Sequence, residues 1–398
     1  MEKKIKVAIY SGVVPSSTFI ENLIKCLSKS RLEIYIFGKK RAPSVKYKPN
    51  VKYVLVPNRR LNKIGFIIIQ VILLIIKNPI RFLKLMSYFK SEVKINPRSK
   101  INWLIKVLPV ANYLPDIFHI QWAKSLEEWI FLKEIFGTRI VLSLRGSHIT
   151  YSPLSNENLA KSYIALFPKV DCFHAVSESI AAEANKYLLV KKNIKVIYTG
   201  VDIKKLDQYR RNNRSAIKNF QFISVGRYHW IKGYQYAITA LKYLVDDGYN
   251  CDYTIISKGK PSEEILYLTN YFELNERVNF IICNNQQEVY HYMKISDCLL
   301  LPSVEEGVAN VVIEAMSIGL PVISSNLLGM REIIIDESNA MLFKSRNSKD
   351  LKSKMRKIIE LKKEKRDQIV ANARTSIKKN HSLEKLSAEM LEMYNGLF

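Results

Sequence analysis

Glu306-Gly-Val-Ala-Asn-Val-Val-Ile-Glu314, followed by Gly319-Leu320-Pro321, decides how this 398-residue chain is read. Two carboxylates stand eight residues apart. Asn310 is a good helix N-cap, while Gly319 and Pro321 mark a helix end. The pattern places Glu306 and Gly307 on a loop before a helix N-terminus and Glu314 about one turn inside the helix. That terminus offers unpaired N–H groups and the positive end of a dipole. Two acids beside an anion-binding helix end suit a ligand that carries both hydroxyls and phosphates.

Outward from this motif, short apolar strands alternate with helical patterns in both directions. In the first half the strands are Lys6–Tyr10, Leu32–Phe37, Val51–Val56, Ile117–Ile120, Ile140–Leu144 and Cys172–Val176, with a helix from about Ser17 to Lys29. The pattern restarts at Phe220–Val225 and continues through Tyr253–Ser257, Val278–Ile282, Cys298–Leu301 and Val322–Ser325. Apolar strands separated by helices imply parallel sheets covered on both faces. The expected fold class is α/β, with two Rossmann-like parallel-sheet domains facing across a cleft, and ligand at the strand C-termini. The expected boundaries are an N-terminal domain over 1–203, a second domain over 204–380, and a final helix over 381–398 packing back on the first. The charged stretch Lys204 to Asn219 reads as linker and surface.

Composition narrows the class. Lys plus Arg is 62 and Asp plus Glu is 36, a net charge of +26. Such a field attracts polyanions: nucleic acid, acidic membrane or phosphorylated ligands. Residues 58–106 hold eleven basic residues against one acid, Glu92, around the apolar run Phe66–Ile76. A helix of that run covers roughly 16 Å, about half a bilayer core, so it is too short to span. It reads as a site of attachment to an anionic membrane face. The competing reading is a buried helix ringed by solvated lysines. No secretory signal pattern is visible, and five scattered cysteines without metal spacing read as reduced thiols of a cytosolic protein. No GxGxxG follows the first strand, which disfavours a dinucleotide dehydrogenase, and no Walker A motif is present.

The second chemical constellation is Gly226-Arg227-Tyr-His-Trp-Ile-Lys232-Gly233, after the strand Phe220–Val225. Arg can fork onto a phosphate and Lys adds a point charge, so together they can neutralise a departing diphosphate. No DxD motif or His/Asp cluster occurs, so no metal and no cofactor is expected, with Arg and Lys in the cation's place.

With these residues in view, the second half resembles glycosyltransferase family 4, retaining enzymes of GT-B fold (group 1 type). The ordered set is Gly226-Arg227 with Lys232-Gly233, Pro302-Ser303, Glu306-Gly307, Asn310, Glu314-Ala-Met, Gly319-Leu-Pro-Val322, and Gly329 with Glu332. In the first half Pro15–Ile20, Pro115–His119, Ser143–Ser147, Val176–Glu178 and Gly200–Asp202 follow the family pattern more weakly. The start and the Arg-Gly element are similar to the subset that builds bacterial surface polysaccharides, including capsule and lipopolysaccharide.

The resemblance implies a donor site for a nucleoside-diphosphate sugar. Glu314 would take the ribose hydroxyls, Glu306 the donor sugar, and Arg227 and Lys232 the diphosphate. The backbone of Gly307, Val308, Ala309 and Asn310 would hold sugar or phosphate. Gly226 would shape the turn, and Gly12 would let a first-domain loop approach. Arg145 stands where many relatives carry His near the reacting sugar; it can donate but cannot act as a base. Ser17, where relatives carry Glu, and His148 are candidates for the acceptor or the cleft. His229 is a further candidate for phosphate or acceptor, whereas His119, ending a strand, reads as packed.

The implied activity is metal-independent transfer of a sugar to a hydroxyl of a glycan, lipid-linked acceptor included, at the inner membrane face, with no nucleic-acid partner. Two rivals stand beside it. A GT-B nucleotide-sugar epimerase would need an acid/base pair in the first domain that the sequence lacks. A non-enzymatic basic membrane or nucleic-acid binder would explain the charge but leave the Glu306/Glu314 and Arg227/Lys232 set unexplained.

Overall fold

The computed structural model describes residues 4–41, 50–57, 60–92, 96–190, 192–210 and 219–398. The expected linker residues 211–218, and residues 58, 59 and 93–95 of the basic segment (Arg59 and Lys94 among them), lie outside the described residues.

The chain divides into two compact units. One runs from Met1 to Ile197 and includes Leu386–Phe398; the other is Tyr198–Lys385. The expected limits were 203/204 and 380/381. Hydrogen bonding explains the difference. The Val201 N–H donates to the His381 carbonyl at 2.8 Å, and His381 Nδ1 lies 3.1 Å from the Thr199 carbonyl. The strip 198–203 is thereby tied to the second unit.

In the first unit the strands are β1 (Lys6–Tyr10), β2 (Gly12–Val14), β3 (Glu33–Lys40), β4 (Val51–Val56), β5 (Ile117–Ile120), β6 (Arg139–Leu144), β7 (Cys172–Ala175) and β8 (Ile194–Val196). They form one sheet in the order β2-β3-β1-β5-β6-β7-β8, with β4 also pairing β3, all parallel. Ile117–Ile120 are buried without exception, as a strand covered on both faces requires.

Beneath this sheet runs a buried polar chain: Tyr394 hydroxyl to His119 Nδ1 (2.6 Å), His119 Nε2 to Ser143 Oγ (2.8 Å), Ser143 Oγ to His174 Nδ1 (2.8 Å), and His174 Nε2 to the Ile197 carbonyl (2.9 Å). A carbonyl only accepts, so His174 Nε2 carries the proton. With both imidazoles neutral the rest follows in one direction: Ser143 donates to His174, His119 donates to Ser143, and Tyr394 donates to His119, so every ring nitrogen is paired. Burial holds His119 well below its ordinary value and His174 down to about 3.

The segment expected to attach to membrane forms helices Arg60–Lys77, Pro79–Ser91 and Pro97–Tyr113. The apolar run is therefore part of an 18-residue helix, longer than expected, because Arg60–Gly65 joins it without a break. Leu74 and Leu85 are buried, but Ile69, Ile76, Ile80 and Leu83 are 58–74% exposed, so a wholly buried helix is excluded. Among the described residues no helix is long and apolar enough to cross a membrane.

The second unit has β9 (Phe220–Val225), β10 (Cys251–Ser257), β11 (Val278–Ile282), β12 (Cys298–Leu301), β13 (Val322–Ser325) and β14 (Met341–Phe343) in the order β11-β10-β9-β12-β13-β14. Renumbered from β9, this is the 3-2-1-4-5-6 order of a doubly wound dinucleotide-binding sheet. Its direction reverses between β9 and β12, the point beyond whose strand C-termini sheets of this order bind ligands. All five cysteines are free and four are buried.

Candidate functional site

The two sequence constellations follow β9 and β12, the two strands at the switch point of the second sheet. After β9 come Gly226, Arg227 and a short turn, Trp230–Lys232. After β12 come Pro302 to Ala309 and the helix Asn310–Ile318. The loops are fastened together: the Val304 N–H donates to the Ile231 carbonyl at 2.7 Å, and Ser325 Oγ donates to the Ser303 carbonyl at 2.7 Å.

Two close approaches hold them there. A Cβ on Gly233 (φ +62°) would stand 2.1 Å from the Pro302 carbonyl oxygen, and one on Gly329 would stand 1.9 Å from that of Gly307. Both distances are far inside van der Waals contact, so these positions accept only glycine. The loop Glu306–Ala309 is therefore clamped from behind by the helix Leu328–Arg331.

Lys232 Nζ reaches Glu306 Oε2 at 2.6 Å, with side chains 19% and 21% exposed, and Ser303 Oγ donates to the same oxygen at 3.4 Å. The sequence assigned these two residues to different parts of one ligand; the fold puts them in direct contact. Arg227 is exposed. His229, a candidate for phosphate or acceptor, accepts from the Ile231 N–H through Nδ1 at 3.4 Å, a local turn contact.

The helix Asn310–Ile318 differs in one respect from expectation. Asn310 is its first residue, not its cap. Ala309, extended at φ −81° and ψ 110°, occupies the cap position and offers no side-chain hydrogen bond. The helix N-terminus is therefore bare, and Asn310 Oδ1 is buried without a partner. Gly319, at φ +89°, ends the helix as the sequence predicts.

Glu314 is 6% exposed, which removes the alternative of a surface helix carboxylate. Its Oε1 accepts from the Tyr290 hydroxyl at 3.0 Å and its Oε2 from Gln286 Nε2 at 3.2 Å. Burial pushes its carboxyl up to about 7, partly offset by Tyr290 and Lys205. Tyr290 and Gln286 share the helix Gln286–Ile295. Sequence reasoning missed both, since nothing local to Gln286–Tyr290 signals a carboxylate partner in another helix.

In the first unit, Gly12 has φ +80° and opens β2, which pairs with β3. Ser17 precedes the helix Thr18–Leu27 without capping it, and its Oγ is buried and unpaired. Arg145 follows β6; its Nη2 donates to Gln121 Oε1 at 3.1 Å, and its guanidinium lies 4.6 Å from the centre of the Phe19 ring. Burial lowers it to about 9, so it stays charged at neutral pH. His148 is held down to about 4 by burial and then by Lys124, so it is neutral there. His119 is the packed residue expected.

Comparison with known proteins adds to this geometry. The family model described as Glycosyltransferase Family 4 matches residues 16–205, and that described as Glycosyl transferases group 1 matches residues 206–376. An uncharacterized glycosyltransferase, MJ1059, of Methanocaldococcus jannaschii is 27% identical over 67% of this chain and 63% of its own. The capsular polysaccharide biosynthesis glycosyltransferase CapM of Staphylococcus aureus is 25% identical over 58% of this chain and 63% of its own. The chain thus spans less than two thirds of the length of these curated relatives. Among solved structures, the sucrose-phosphate synthase of Thermosynechococcus elongatus superposes with a TM-score of 0.77 at 16% identity, over 99% of both chains. Anabaena HepE in complex with UDP and glucose gives 0.74 at 16% identity, over 98% of this chain and 99% of its own. At such identity these structures establish the GT-B fold alone. The two family models, end to end over residues 16–376, place this chain in glycosyltransferase family 4.

Proposed function

We propose that this chain is a retaining glycosyltransferase that moves a sugar from a nucleoside diphosphate to a hydroxyl of a lipid-linked glycan in surface polysaccharide biosynthesis. The observation that carries the reading is the Lys232–Glu306 pair beside a bare helix N-terminus, at the switch point of a 3-2-1-4-5-6 sheet. Relatives named for capsular polysaccharide and amylovoran biosynthesis support the pathway class.

Each residue has a role that its surroundings allow. In the free protein Lys232 and Glu306 neutralise each other. On donor binding Lys232 turns to the diphosphate, joined by Arg227, and Glu306 is released to the hydroxyls of the sugar. Charge grows on the leaving diphosphate as the glycosidic bond breaks, so cations fixed there stabilise the transition state more than the ground state. Glu306 steadies the electron-poor sugar centre, and an ion-pair-like state lets the acceptor enter on the face the diphosphate leaves, which retains configuration. Glu314 takes the ribose hydroxyls, and its two donors, Tyr290 and Gln286, fix the orientation of the carboxylate.

The cationic pair takes the place of a metal in this proposal. The exposed isoleucines of Arg60–Lys77 and Pro79–Ser91, with Lys77, Lys84 and Lys90 exposed beside them, dock on an anionic membrane face where lipid-linked acceptors reside. A panel of UDP- and GDP-sugars, incubated with the chain in EDTA, tests the reading. Release of nucleotide and a product anomer matching the donor support it. An inverted product, or turnover only with added divalent metal, removes the retaining or the metal-independent part.

A further inference from the structure

Tyr234 opens the helix Tyr234–Asp246 directly behind the clamped Gly233, and its side chain reaches back to Gly226. A Cβ on Gly226 would stand 2.8 Å from the Tyr234 hydroxyl oxygen, 3.3 Å from Lys232 Cε and 3.5 Å from Lys232 Cδ. Gly226 has no side chain, and the phenol and the end of the lysine chain share the space that one would take. The Tyr234 ring packs in an apolar cluster of the second unit that includes Tyr253, and it meets Tyr228 edge-on at 5.7 Å.

Packing accounts for the ring, and a phenylalanine would serve it equally. It does not account for the hydroxyl, which is buried without a hydrogen-bond partner. The other buried phenol of the cluster is paired: Tyr253 donates to Ser224 Oγ at 2.7 Å, and Ser224 Oγ donates to the Leu300 carbonyl at 2.6 Å. An unpaired buried hydroxyl destabilises a fold, so its use has to be sought in another state of the site. Burial, then Tyr253, Tyr228 and Glu306, hold it well above its ordinary value, so it keeps its proton and can both donate and accept. Lys232 is the matching group beside it. An ammonium has three N–H donors, and Glu306 takes one of them at 2.6 Å.

We propose that Tyr234 is a positioning residue for Lys232: when a diphosphate draws the ammonium off Glu306, the Tyr234 hydroxyl accepts one of its hydrogen bonds and fixes the cation against the leaving group. The assignment rests on the transferase reading above. Lys232 Cδ and Cε already lie beside the shared space, so rotation at the end of the side chain moves Nζ between carboxylate and phenol without moving the backbone. Held in this way, the ammonium is preorganised for the charge that grows as the glycosidic bond breaks. The contact tightens as that charge accumulates. Its loss is therefore felt more in turnover, and in binding of the free nucleoside diphosphate, than in binding of the intact donor.

The test compares Tyr234→Phe with the parent chain in nucleotide release from UDP- and GDP-sugars, in calorimetric affinity for UDP and GDP, and in thermal melting. The variant is expected to lose about tenfold in kcat with KM within threefold, and about tenfold in affinity for the nucleoside diphosphate. Its Tm should be unchanged or higher, since an unpaired group has been removed. Added to Lys232→Ala, Tyr234→Phe should cost no more than a further twofold, because the phenol acts through the lysine. Parental release and affinity in Tyr234→Phe, a loss fully additive to that of Lys232→Ala, or a loss accompanied by a lower Tm overturns the positioning role and leaves the transferase reading intact. A parent chain that releases nucleotide from no donor removes that reading. UDP or GDP affinity that still falls in Tyr234→Phe then keeps the positioning role, and affinity that is unchanged or absent overturns both.

Discussion

Glu314 gives the sharpest quantitative prediction, because one carboxyl governs both stability and donor affinity. It is buried against Tyr290 and Gln286, and burial raises it from 4.5 to about 7. The sign follows from proton counting. Between these two values the folded chain holds a proton that the unfolded chain has lost, so stability falls as pH rises through the window. The rise to about 7 corresponds to roughly 3 kcal/mol withheld from the fold above pH 7. Glu314→Gln removes that cost, provided Gln286 turns its amide over to meet the new one. The variant is expected to be more stable than the parent by up to about 3 kcal/mol near pH 8 and no more stable near pH 4. Binding moves the other way. Ribose hydroxyls need the ionised form, and only about one tenth of it remains near pH 6. Affinity for a nucleoside-diphosphate sugar, whose phosphates do not titrate in this range, should therefore weaken about tenfold from pH 8 to pH 6. Calorimetric titration of the donor at both pH values, beside urea unfolding of parent and variant, reads both effects. A pH-independent dissociation constant in the parent, or a Gln variant with the same pH profile or no added stability at pH 8, refutes the reasoning.

Other predictions probe the scaffold. Gly329→Ala places a methyl 1.9 Å from the Gly307 carbonyl and forces the clamped loop apart; several kcal/mol of stability and nucleotide affinity should be lost together, and an unchanged thermal melt would show the clamp to be unimportant. Burial keeps both imidazoles of the Tyr394–His119–Ser143–His174 chain neutral, with folded values depressed, so their contribution to stability is full above about 6.5 and is lost as pH falls. By pH 5 His174, held down to about 3, costs about 2 kcal/mol and His119 adds in the same direction; the His119→Gln/His174→Gln double variant should flatten that slope in urea unfolding even if it is less stable at pH 7. Ile72→Glu with Ile76→Glu should abolish flotation with vesicles containing anionic lipid, and binding that ignores these changes, lipid charge and salt would count against the docking face.

The parts legible in the sequence share a physical cause: their signal is local. Strands such as Ile117–Ile120 and Cys298–Leu301 are short apolar runs because both their faces are covered. The helix Asn310–Ile318 carries its own stop signal at Gly319. Its bounds match the sequence reading, but Ala309, extended at φ −81°, takes the cap position that Asn310 was read to fill. Residues whose importance depends on distant partners were not legible. Tyr290 and Gln286 meet Glu314 only through packing of two helices. The Phe66–Ile76 run announced a helix but not its length, because Arg60–Gly65 carries no stop signal. The charge of +26 pointed to anionic partners without choosing one, and exposed isoleucine and lysine on the same helices support the proposed membrane face.

The central claim is that the Lys232–Glu306 pair and Glu314 form a nucleoside-diphosphate-sugar site that performs transfer. Nucleotide release from UDP- and GDP-sugars, measured for the full chain and for Lys232→Ala and Glu314→Ala, tests it most directly. The account predicts release from at least one donor, reduced by about a hundredfold or more in Lys232→Ala, the scale of losing one group that stabilises developing charge, and reduced also in Glu314→Ala. Folded variants that release nucleotide at the parental rate would contradict it.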